Sequence, residues 1–133
     1  MEIIFVGGDS MNYDMNMLCN KAIDFSIDIV KICNLQDKLV LPLIKPLLKS
    51  IEEMCYNLNL SKVTNNTHDI IDYIITAFQK AALTRYWLDL LVSSNSIQSD
   101  NNEKLIESID DIILLIKNII KESDSKYYHI INK

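Results

Sequence analysis

The chain has 133 residues and a formal net charge of −5, is nearly half apolar, and holds only two Gly and two Pro. One domain fits that length, and it is chain enough to bury about two-thirds of its unfolded surface without disulfide or metal staples. So few turn residues exclude an all-β fold, which needs them at most strand ends. With 13 basic against 18 acidic side chains, the chain as a whole lacks the basic excess with which nucleic-acid binders neutralise phosphates.

Residues 1–12 read as a short leader, extended or poorly ordered, because Gly7-Gly8 interrupts any apolar period. The start MEIIFVGGDS has no basic n-region and an acid at position 2, so no secretory signal is expected and a cytoplasmic protein is. A first helix fits 13–34, with Met15, Leu18, Ala22, Phe25, Ile29 and Ile32 on one face and Cys19, Ile23, Ile27 and Val30 widening it. A second helix fits 38–60. Pro42 suits its first turn, and Pro46, one turn on, either kinks the helix or marks its start. Leu43, Leu47, Ser50, Met54, Asn57 and Leu58 share a face there. A Ser and an Asn on such a seam allow close helix approach or bond across it.

The stretch 61–69, SKVTNNTHD, is the clearest break, with Asn66 or Thr67 as cap for a third helix over 67–92. A loop over 92–103 leads to a fourth helix over 102–124, with Asp100 or Asn101 as cap. Its Leu105, Ile109, Ile112, Ile116 and Ile119 repeat at three- and four-residue steps. The run IILLI (112–116) makes an apolar girdle wider than one core requires, which predicts a second packing partner. It is far too short to span a membrane, for which about 18 apolar residues are needed. Residues 125–133 read as a tail whose Tyr127, Tyr128, Ile130 and Ile131 pack on a neighbour. Four long helices with short connections predict an all-α, antiparallel up-down four-helix bundle over 13–124.

Little chemistry accompanies this architecture. Cys19, Cys33 and Cys55 have no metal-ligand spacing and read as reduced, packed thiols. His68 and His129 are far apart, and the adjacent pairs Glu52-Glu53 and Asp110-Asp111 diverge by about 100° on a helix. No P-loop, GxGxxG or GxSxG occurs, so no catalytic residue, cofactor or metal is expected, and no enzyme. Two features stand out as binding candidates. Lys38, Lys45 and Lys49 come together with no acid between them, either a solvated flank or a basic face. Arg85 falls at helical intervals from Ile71, Ile74, Phe78, Ala81, Leu88 and Val92, inside an apolar seam. It either fixes helix register or faces an oligomer's central channel. Beside Tyr86 and Trp87 it makes a surface of the kind enriched where interfaces carry their energy, so it is expected to serve assembly or partner binding more than bundle stability.

Three phrases carry a family resemblance. FSIDIVKI (25–32) is similar to a first-helix phrase F-a-x-x-I-v-k, and PLLKSIEEMCYNL (46–58) approximates Q-L-L-R-S-x-x-S-I-x-x-N-I. AFQKAALTRYWLDLL (77–91) echoes A-l-K-E-a-x-E-T-x-Y-W-L-x-L-L, with Thr84, Tyr86, Trp87, Leu88, Leu90 and Leu91 in place. Over 17–122 the chain thus resembles the 23S rRNA intervening-sequence protein family, the "four helix bundle proteins", whose relatives include accessory proteins of diversity-generating retroelements. Pro46, Glu53, Lys80 and Leu83 depart from its pattern. The resemblance implies a homopentameric barrel and places Lys49, Ser50 and Asn57 at family motif positions. With Lys45, Arg85, Tyr86 and Trp87 they form the candidate binding set. The leading expectation is a non-enzymatic, self-associating scaffold or adaptor for a protein partner, with no membrane role. The alternative is a nucleic-acid-binding accessory, for example a partner of a reverse transcriptase and its RNA.

Overall fold

The computed structural model describes residues 8–131, with side chains over 13–123. All secondary structure among these residues is helical. Helix α1 is Gly8–Asn34, α2 is Leu41–Val63 preceded by a 3-10 turn at Lys38–Val40, α3 is Thr67–Ser93 and α4 is Asn102–Ile131. The helices follow one another around a ring, α1 packing on α2 and α4, and α3 on α2 and α4. Short connections between long antiparallel neighbours make this an up-down four-helix bundle.

Each end has a local cause. Asn66 caps α3, its Oδ1 accepting from the N–H of His68 at 3.0 Å and of Asp69 at 3.2 Å, which satisfies two of the four donors a helix start leaves free. The other end of α3 closes in a Schellman turn: Asn95 takes φ 58°, the Ser96 N–H donates to Leu91 O and the Asn95 N–H to Val92 O. Asn is one of the few residues that tolerate that left-handed position. The turn also carries Ile97 into the core, 2% exposed. Across the same end of the bundle, Gln36 Nε2 donates to Gln98 O and the Gln98 N–H returns to Gln36 Oε1, both at 3.3 Å. This clasp ties the α1–α2 connection to the α3–α4 loop.

The core is the set of stripes read from the sequence. On α1 these are Met15, Leu18, Ala22, Phe25, Ile29 and Ile32, and on α4 Leu105, Ile109, Ile112, Ile116 and Ile119. Fully burying each large side chain favours folding by roughly 1.5–3 kcal/mol. Several expectations are corrected. The chain is already helical at Gly8, before the expected 13, and α4 continues to Ile131 instead of ending near 124 in a separate tail. The side chains of Tyr127, Tyr128, Ile130 and Ile131 lie outside the described residues. Helix α2 neither stops nor starts at Pro46, but passes through it. The missing N–H deprives the carbonyl of Pro42, which is exposed and therefore open to water. On α2 the core takes Ile44 and Ile51 where Leu43 was expected, and Leu43 is 54% exposed.

The girdle is narrower than its sequence suggests. Ile112 and Ile116 are buried, Ile113 and Leu115 half-buried, and only Leu114 of the five is exposed. One unburied apolar flank lies instead on α1, where Ile23, Ile27 and Val30 follow one stripe and are about half exposed. No described helix is long and apolar enough to cross a membrane.

Candidate protein-binding face on α2 and α3

Two short contacts fix how α2 lies against α3. Ser50, 1% exposed, and Thr84, fully buried, meet hydroxyl to hydroxyl at 2.9 Å. One turn away, Lys80 Nζ reaches Glu53 at 2.9 Å. Small hydroxyl side chains let the backbones approach and leave no buried polar atom unpaired. This is the most extensive helix–helix packing in the bundle. The antiparallel register so fixed brings Leu43 and Pro46 of α2 alongside Trp87 and Leu90 of α3.

The result is an apolar surface that the bundle leaves uncovered. Leu43, Leu83, Tyr86 and Leu90 are 54%, 39%, 58% and 46% exposed. Half-buried Trp87 is held edge-on to Tyr86, ring centres 5.2 Å apart at 73°, a favoured aromatic geometry. Lys45 and Lys49 are exposed along the outer edge of α2, and among the described residues no carboxylate pairs with either. The sequence reading singled out Lys45, Lys49, Tyr86 and Trp87 but missed Leu43, Leu83 and Leu90. Leu83 and Leu90 lie seven residues apart, on the side of α3 away from the Ile74–Ala81–Leu88 stripe, and that offset was the available signal.

The other three candidates do different work. Ser50 is internal and joins α2 to α3. Asn57 is half-buried, and its Nδ2 donates back to Glu53 O at 2.7 Å. Arg85 does not lie in the seam. Thr84 and Leu88 take the core positions, and Arg85 sits at the α3–α4 edge with its side chain 32% exposed. Its Nε donates to Asp110 Oδ1 at 2.8 Å, and Nη1 lies 3.4 Å from Asp89. The guanidinium is held above its already high pKa chiefly by the Asp110 hydrogen bond. It therefore ties two helices together and, within the protomer, neither faces a core nor stands unpaired.

A groove of about 500 Å³ separates α1 from α2, lined by Cys19, Ile23, Cys55, Tyr56 and Lys62 among others. Burial pushes the thiols of Cys19, Cys33 and Cys55 up from their ordinary pKa, so they are poor nucleophiles at neutral pH. All three are free, and the described residues hold no cluster of three or more His, Cys, Asp or Glu arranged for a metal.

With the fold in place the chain can be set beside known proteins. It aligns with the crystal structure of a protein of unknown function from the S23 ribosomal protein family of Bacteroides thetaiotaomicron. The TM-score is 0.69 and the identity 26%, over 81% of this chain and 98% of that one. This likeness in fold and sequence supports the family resemblance read from the three phrases on α1, α2 and α3. No family model and no curated protein matches the chain. The α2 and α3 phrases are the ones that lie together in the face described above. Within this bundle, the motif residues Ser50, Thr84 and Trp87 have distinct tasks. The first two join α2 to α3, and the third helps form the surface above them.

Proposed function

We propose that the chain is a non-enzymatic, self-associating scaffold or adaptor that holds a protein partner on the α2–α3 face. The observation that carries this reading is the apolar surface around Trp87, left open by a bundle whose own core is complete. A group of exposed Leu and Tyr around a half-buried Trp on a packed domain marks an interaction site more often than it marks solvent. Self-association is assigned to a separate surface, the α1 stripe of Ile23, Ile27 and Val30. The family resemblance implies five subunits, and a ring of five would have the α1 stripe meet a different surface of the next copy, outside the α2–α3 face.

Light scattering should give a mass about five times the 15.3 kDa protomer, and Ile27→Lys on the α1 stripe should lower it. A monomer mass at micromolar concentration removes the assembly reading. The runner-up, a nucleic-acid-handling accessory, draws on the unpaired Lys45 and Lys49. An RNA titration at two salt concentrations separates the two, because phosphate contacts would make binding fall steeply with salt.

A further inference from the structure

We infer that the partner taken by the α2–α3 face is an acidic amphipathic helix, its apolar side against Leu83, Trp87 and Leu90 and its carboxylates against Lys45 and Lys49. This rests on the adaptor reading above and adds the chemistry of the partner. The charge pattern argues for it. From Lys38 to Ile51 the sequence contains three Lys and no acid, within a chain of net charge −5. Glu53, one turn beyond Lys49, is already paired with Lys80 across the face. Lys45 and Lys49 stand one turn apart on the exposed edge of α2, without partners among the described residues.

The net negative charge of the chain disfavours an acidic segment in general, whereas this edge attracts it, and such opposed charge sets register and partner choice more than raw affinity. The apolar strip runs along two antiparallel helices from Leu43 and Leu90 towards Leu83. That is the shape a helix offering apolar residues at i, i+3, i+4 and i+7 fills. Self-association through the α1 stripe leaves this face free.

Trp87 is the chain's only tryptophan and sits in the face, so its emission reports occupancy directly. Three synthetic helical peptides of about 20 residues serve as probes. One has a Leu stripe flanked by Glu, one has the same stripe flanked by Lys, and one is acidic with the stripe scrambled. The Glu-flanked peptide should shift Trp87 emission saturably and the other two should not. Lys45→Glu together with Lys49→Glu, both at exposed positions, should weaken binding about tenfold or more. Leu90→Ser should weaken it without lowering the helical signal.

The inference is overturned by no saturable change with the Glu-flanked peptide, by equal binding of the Lys-flanked one, or by a charge-reversed protein that binds as before. It is also overturned if Trp87 emission changes with protein concentration alone and Leu90→Ser abolishes that change, since a second copy then occupies the face. A short RNA that shifts Trp87 and is released by salt would equally replace it, making the lysine row a phosphate track. Failure with the oligomer mass intact refutes this inference alone, whereas a monomer mass refutes only the assembly reading.

Discussion

The hydroxyl pair between α2 and α3 gives a sharp test of how that face is built. Ser50 Oγ lies 2.8 Å from Leu47 O, Thr84 Oγ1 lies 2.8 Å from Lys80 O, and the two oxygens are 2.9 Å apart. Each hydroxyl has one hydrogen, so three bonds cannot all be donated. One hydroxyl donates across the interface while the other donates to a carbonyl of its own helix. Ser50→Ala removes the cross-helix bond but leaves Thr84 its Lys80 carbonyl, and Thr84→Val leaves Ser50 its Leu47 carbonyl. Each single change should therefore cost about 1 kcal/mol, the net worth of one buried hydrogen bond. The double change loses the shared bond only once, so the two effects should fall short of additivity by roughly 0.5–1.5 kcal/mol. The assay is thermal or urea unfolding followed by circular dichroism at one protein concentration, because self-association would make Tm concentration-dependent. A change of about 1 kcal/mol should move Tm by roughly 3–6 °C in a domain of this size. Additivity to within about 0.3 kcal/mol would refute the cross-helix bond.

Three further outcomes are expected. Ile112, 1% exposed on α4, replaced by Asp places an unpaired charge in the core and should cost on the order of 4 kcal/mol, read as a lost or strongly lowered melt. Arg85→Ala removes a partly exposed bridge to Asp89 and Asp110 and should cost about 1 kcal/mol or less, shrinking further as salt rises. A loss of about 3–5 kcal/mol would instead mean a buried pair. The thiols, raised by burial, should react with iodoacetamide at pH 8 more slowly in the folded chain than in urea. By linkage their contribution to stability is whole below the unfolded thiol pKa and is lost as pH climbs through the higher folded values. Equal alkylation rates in both states would contradict this.

The helices were legible because their apolar residues keep a 3.6-residue period over many turns, and the α4 stripe matches the core residue for residue. Arg85 was misplaced for a reason that periodicity cannot repair. A side chain at helical intervals from Ile74 and Leu88 lies within reach of the apolar stripe, but whether it faces the core or its edge depends on a partner such as Asp110 on another helix. The girdle erred likewise, since Ile113 and Leu115 are swallowed by neighbours whose positions one sequence does not state. Leu43 lost its core place to Ile44 because the rotation of α2 is set by its packing on α3. Of the candidate site, Trp87 and the lysine pair stood out by composition. The leucines around them looked like ordinary core residues until their sides were known.

The Gln36–Gln98 clasp has a consequence for handling this protein. Because the helices alternate in direction, the end that holds the clasp carries two closed loops, whereas the start of α1 and the last turn of α4 emerge together at the far end. A fluorescent label placed at the start of α1 or in the last turn of α4 would lie at that far end, clear of the clasp. Joining the two termini through a flexible linker and opening the chain within 94–101 should yield a circularly permuted bundle, because the cut falls in a loop and the four helices keep their neighbours.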